Sequence, residues 1–213
     1  MKPAFAEATA GKLLFATTNP NKVREVRHAL RAAAPHKGVP YEILTLRDVG
    51  DMPEPEETGA TYWENARIKA LAYAQATGLT TVAEDSGFEV DALGGTPGVQ
   101  SARFLGATAT YPDRFAEIHR RLGSDPSSAR FVTALAVARG VELLFETECV
   151  IEGTVAPAPA GQNGFGYDPI FYYPPICGTV AQLSDDQKAA VSHRARAFRD
   201  LHRWLRTQKT TYP

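Results

Sequence analysis

Leu13 to Thr17 forms a compact apolar run that ends in the polar turn Thr18-Asn19-Pro20-Asn21-Lys22. Val23, Val26, Leu30 and Ala33 then recur at helical spacing, with Arg24, Glu25 and Arg27 on other faces. Strand, tight turn and helix in that order open an α/β protein. The stretch from Pro35 to Pro40 breaks the helix, and Tyr41 to Leu46 reads as a second strand. After an acidic, proline-marked loop from Asp51 to Gly59, the alanine-rich segment Thr61 to Ala76 predicts a helix stopped by Gly78. Thr80 to Ala83 is a short β-prone run leading into Glu84-Asp85-Ser86-Gly87, and Phe88 to Leu93 leads to the loop Gly94-Gly95-Thr96-Pro97-Gly98. Phe115, Ile118 and Leu122 mark another helix. Arg130 to Ala138 and Val141 to Val155 predict two long strands joined at Arg139-Gly140. Ala156 to Gly166 reads as a Pro/Gly-rich loop. From Ser184 a helical stretch runs to about Arg206, opened by a capping box of Ser184 and Gln187 and striped by Val191, Ala195, Phe198, Leu201 and Leu205.

Composition narrows what such a chain does. At 213 residues, 44% hydrophobic and 22% charged, it can bury a substantial core. Residues 1–11 lack an apolar signal core and read as a short extension, 12–207 as one domain, and 208–213 as a tail. No apolar run approaches membrane-spanning length, so neither a membrane nor a secreted setting is indicated, and cytoplasm is the default. The net charge of −1 argues against a nucleic-acid partner. A polyanionic substrate needs its basic residues to converge locally. Cys149 and Cys177 lack metal-ligand spacing.

Four segments have the residue types for such a substrate. In the first turn, backbone N–H groups and a positive helix end lie beside Thr17, Thr18, Asn19 and the charge of Lys22, a combination that holds a phosphate, although many such turns are only structural. In the second, the adjacent carboxylates Glu84 and Asp85 end an apolar run. Neighbouring strand residues point to opposite faces, which divides their work: one to bind a cation or activate water, the other to orient a basic residue. The competing reading is an exposed turn at Asp-Ser-Gly. In the third, Gly164 and Gly166 flank Phe165, whose ring offers a base a stacking face, with Tyr167 and the acceptor Asp168 following. In the fourth, Lys188 and His193 lie five positions apart, about 140° around an unbroken helix. The reading that serves both is a break near Ser192 with that serine as a new N-cap.

FATTNPNKVREV, EETGATYWENARIKA, AEDSGFEVDALGGTPGVQSARFLG, GFGYDPIF and KAAVSHRARA, in this order, resemble the inosine triphosphate pyrophosphatase family from about Lys12 to Leu205. Four positions depart from the usual bacterial pattern: Thr18 where glycine is common, Glu84 for the first of two aspartates, Ala189 where Asn is frequent, and Ala195 where Gly follows SHR. The resemblance implies an elongated α/β fold with a long mixed sheet, flanking helices, two lobes and a central cleft, usually as a homodimer. It implies release of pyrophosphate from inosine or xanthosine triphosphate with Mg²⁺. Carried over by position, Thr17, Thr18, Asn19, Pro20, Asn21 and Lys22 cradle phosphates, Lys69 and Lys188 add positive charge, and Ser86 contacts substrate. Asp85 holds the metal and acts as general base. Glu57 is the preferred second carboxylate, with Glu54 competing. Phe165, Gly166, Tyr167, Asp168, His193 and Arg194 form the base end, where His193 or Arg194 donates to the 6-keto oxygen. Rivals are a related pyrophosphatase for pyrimidine or modified nucleotides, and a nucleotide-binding module without turnover.

Overall fold

The computed structural model describes residues 11–33 and 41–208. The Pro35–Pro40 break and most of both expected terminal segments lie outside these residues. Strand β1 (Lys12–Phe15) leads through the polar turn into helix α1 (Pro20–Ala33), followed by β2 (Glu42–Thr45) and the one-turn α2 (Leu46–Val49). Helix α3 (Tyr62–Thr77) starts where the Thr61 hydroxyl accepts from the Glu64 amide and Glu64 returns the bond, and it ends at Gly78. Strand β3 (Thr81–Val90) and the short β4 (Pro97–Gly98) precede α4 (Tyr111–Leu122). The hairpin β5 (Ser128–Arg139) and β6 (Glu142–Val155) turns at Gly140, and short strands β7 (Phe171–Tyr173) and β8 (Gly178–Thr179) follow. Helices α5 (Asp185–Val191) and α6 (His193–Gln208) close the chain.

All eight strands form one sheet in the order β2-β1-β3-β5-β6-β7-β8, with β4 on β3. The β1 pairings are parallel and the others antiparallel, so the sheet is mixed, as the resemblance implied. One core lies over one face of the sheet, where Leu14, Ala83 and Ala136 meet α3. A second lies on the opposite face, where Phe15, Val82 and Leu135 meet Val26, Leu30, Phe198 and Leu201 of α1 and α6. A third gathers Phe88, Val90, Ile118, Phe131 and Phe171 around the far part of β3 and β5.

One expectation is corrected. Glu84-Asp85-Ser86-Gly87 is not a turn between two short strands. It is the middle of β3, paired residue for residue with β5 from Thr81 opposite Ala138 to Val90 opposite Ala129. Gly87 is required there, because an added Cβ would run into the Gly98 carbonyl and the Tyr62 hydroxyl. A strand can carry two carboxylates through the protein only if each finds partners on its own face. Here each does.

Candidate active site

The alternation of β3 divides the site. Val82 belongs to the face packed by α1 and α6, and Ala83 to the face packed by α3. Glu84 therefore points toward α1 and α6, and Asp85 toward α3.

On the first face, Arg194 Nε donates to both oxygens of Glu84 at 2.7 and 2.9 Å, its Nη1 donates to Glu25, and its Nη2 reaches Ser86 Oγ at 3.0 Å. Lys22 Nζ stands 3.3 Å from Glu84. Lys188 Nζ lies 2.5 Å from both Glu25 and Asp168. Asp168 also accepts from the Phe165 amide at 2.7 Å. Gly164, at φ +73°, leaves that carboxylate room, since an added Cβ would collide with it. Burial alone would raise the Glu84 carboxyl, but the charges of Arg194 and Lys22 outweigh it and hold the group down to about 2. Burial lowers Lys22, and Glu84 only partly offsets this.

Lys188 and Arg194 reach the same cluster because the helix does break. Helix α5 begins with the expected Ser184–Gln187 box, and Ser192 Oγ accepts the Ala195 amide to start α6. His193 is then buried and stacked on Phe131, rings 4.8 Å apart and 6° from parallel. Desolvation, with Arg194 and Lys188 nearby, pushes its imidazole well below the usual range, so it is neutral at pH 7. Its Nδ1 is buried with no hydrogen-bond partner.

On the second face, Asp85 accepts from Asn65 Nδ2 at 3.2 Å and from Lys69 Nζ at 3.3 Å. Lys69 also donates to Glu57 at 2.5 Å, and Glu57 holds Arg103 Nη1 at 3.1 Å. Burial opposes ionisation of Glu57, but the two cations prevail and keep its carboxyl below the ordinary value. Asn65 also ties down the acidic loop by accepting the Gly59 amide at 2.8 Å.

Both faces open on one cleft of about 280 Å³. It is lined by Thr17, Thr18, Asn19, Lys22, Glu54, Glu57, Lys69, Asp85, Ser86, Phe165, Gly166, Tyr167, Asp168, Lys188, His193 and Arg194. Pro20 lines a neighbouring groove instead, and Asn21 lines neither cavity. Side chains of the first turn have structural work: Asn19 Oδ1 accepts the Asn21 amide at 2.9 Å and Thr17 Oγ1 accepts the Asn19 amide at 3.2 Å. Tyr167 is mainly a core residue, stacked on Phe88 and donating to the Ser101 carbonyl at 2.9 Å. Phe165 carries Lys188 Nζ 4.7 Å and the Arg194 guanidinium 5.4 Å from its ring centre.

Sequence reasoning missed Glu25, Asn65 and Arg103. Glu25 stands three positions after Lys22, on the same helical side, and that spacing was the available signal. Among the described residues no three His, Cys, Asp or Glu side chains gather into a metal cage. Glu57 and Asp85 instead converge on the single ammonium of Lys69. Mg²⁺ commonly takes one or two carboxylates and completes its shell with water and substrate phosphates. This donor set fits a cation that arrives with phosphates.

A profile of the Ham1 family matches residues 13–204. A dITP/XTP pyrophosphatase of Syntrophobacter fumaroxidans is 45% identical over 90% of this chain and 80% of its own. Another, from an Exiguobacterium species, is 43% identical over 89% and 94%. The structure of the Staphylococcus aureus Ham1 protein superimposes with a TM-score of 0.80 at 33% identity, covering 92% of this chain and 99% of that one. With its mixed sheet and its long match in sequence, the chain belongs to the Ham1 family.

Proposed function

We propose that this protein hydrolyses non-standard purine nucleoside triphosphates (ITP, dITP and XTP) to the nucleoside monophosphate and pyrophosphate, with Mg²⁺, and so cleanses the nucleotide pool. The observation that carries the reading is the division of the cleft along β3. A carboxylate held by an amide and a lysine faces one side, and a buried neutral histidine with an unused ring nitrogen lies on the other. The dITP/XTP pyrophosphatase activity named for the relatives supports the same substrate class.

Asp85 is the general base. Asn65 and Lys69 each hold one of its oxygens and so fix the carboxylate plane, from which it would take a proton from the water that attacks the α-phosphorus. Asp85 with Glu57 or Glu54 would hold Mg²⁺, which would supply positive charge to the phosphoryl oxygens. Thr17, Thr18, Asn19 and Lys22 receive phosphates at the start of α1, and Phe165 stacks on the base. Arg194 already donates through Nε, Nη1 and Nη2, so His193, which also lines the cleft, is the favoured reader of the 6-keto oxygen. Adenine presents an amino donor there, and an unmatched buried pair costs about 1–3 kcal/mol. The working form is a homodimer in the cytoplasm, a reading that rests on the family resemblance and is checked by sedimentation.

The test is a Mg²⁺-supplemented panel of ITP, XTP, ATP, GTP and UTP, scoring monophosphate and pyrophosphate separately from orthophosphate. The expected result is ITP and XTP cleaved to monophosphate with pyrophosphate. Accumulating inosine diphosphate with orthophosphate would overturn the reading.

A further inference from the structure

The side chains that line the cleft bring no surplus positive charge of their own. Its five lining cations, Lys22, Lys69, Arg103, Lys188 and Arg194, face five lining carboxylates, Glu54, Glu57, Glu84, Asp85 and Asp168. Each cation is already paired, and Glu25 adds one more carboxylate behind them.

The surplus lies next door. A cavity of about 570 Å³ runs between α1 and the segment from β2 through α2, and shares Thr17 and Thr18 with the cleft. Arg27 and Arg31 of α1 line it, and Arg47 of α2 lines it too. All three are exposed, and none has a side-chain ion pair or hydrogen bond among the described residues, although Asp48 of α2 lies near enough to Arg27 to interact with its charge. Arg24 lines it as well, 3.4 Å from Asp185, and His28 contacts Asp185 and Asp186. Among the described residues Asp51 is the one carboxylate in the lining. A solvated helix face would explain Arg27 and Arg31, which lie four positions apart on one side of α1. It does not explain why Arg47 of another element lines the same concavity, whose net positive charge favours an anion.

We propose that this groove is a second anion site, which takes inorganic pyrophosphate as it leaves the cleft past Thr17 and Thr18. The inference rests on reading the cleft as a site that releases pyrophosphate. Guanidinium groups suit this ligand because they bind phosphate oxygens in pairs.

The experiment is calorimetric titration of inorganic pyrophosphate, with Mg²⁺, into the full chain and into the variant Arg27→Gln/Arg47→Gln, with inosine monophosphate titrated in parallel. The expected result is at least about tenfold weaker pyrophosphate binding, the equivalent of one lost charged hydrogen bond. Monophosphate binding and kcat at saturating triphosphate stay within twofold. The variant Arg27→Lys/Arg47→Lys, which keeps the charge, should recover most of the affinity. Pyrophosphate binding unchanged in the Gln variant, or monophosphate binding lost in equal measure, would overturn the proposal. No turnover substrate is present, so these titrations stand apart from the nucleotide panel. A wild-type protein that releases no pyrophosphate from ITP sinks the functional reading instead.

Discussion

Glu25 offers the sharpest test of the cluster beside β3. Its carboxylate is buried and bridges Lys188 of α5 and Arg194 of α6 to its own helix, α1. Lys22, Lys188 and Arg194 are balanced there by Glu25, Glu84 and Asp168. Glu25→Gln leaves one buried positive charge in excess. Removing one member of a buried pair costs about 3–5 kcal/mol. Lys188 keeps Asp168 and Arg194 keeps Glu84, so the lower end, about 3 kcal/mol, is expected. At roughly 2–4 °C per kcal/mol for a chain of this size, Tm falls by about 6–12 °C. The loss also has a pH signature. Burial works against the Glu25 carboxylate, but Arg194 and Lys188 hold its folded value below the ordinary 4.5. Its stabilisation is therefore complete above about 4.5 and is lost as pH falls through the folded value, so the wild type and the variant converge in acid. Urea unfolding of both proteins from pH 7 to pH 3, with thermal scans at pH 7, reads this directly. A Tm within about 2 °C of wild type at pH 7, in a variant that keeps its fold, would show that Glu25 does not balance the cluster.

Three further outcomes are expected. Asp85→Asn loses at least about 10²-fold of the Mg²⁺-dependent pyrophosphate release while keeping its fold by circular dichroism, and near-normal turnover would remove Asp85 from the chemistry. His193 has a folded pKa below its unfolded value of 6.5, so below pH 6.5 the unfolded chain takes up a proton that the folded chain refuses. Stability therefore drops from pH 6.5 toward pH 5, and His193→Gln flattens that slope in denaturant titrations; an unchanged slope assigns it to other groups. Gly87→Ala forces a methyl against the Gly98 carbonyl and the Tyr62 hydroxyl, lowering stability by about 1–3 kcal/mol, and an unshifted urea midpoint would contradict the close approach.

The parts of this molecule that were legible in sequence are those whose causes are local. The Ser184–Gln187 box and the restart at Ser192 are each fixed within three residues, and both stand where the side chains put them. The long hairpin of β5 and β6 announces itself by composition and by the turn at Gly140. The continuity of β3 was not legible, because what permits two carboxylates in mid-strand comes from far away. Arg194 lies 110 positions from Glu84, and Asn65 lies 20 from Asp85. Glu25 was hidden for a related reason: on a helix, charges among apolar positions normally face water, and only the arrival of α5 and α6 buries this one. The strand period nevertheless supplied the decisive inference, that adjacent carboxylates point apart and divide their work. Glu84 is held on the α1–α6 side by two cations, Arg194 and Lys22, and Arg194 reaches on to Ser86. Asp85 is left on the α3 side with one hydrogen bond from an amide and one from a lysine, on the cleft that both faces share.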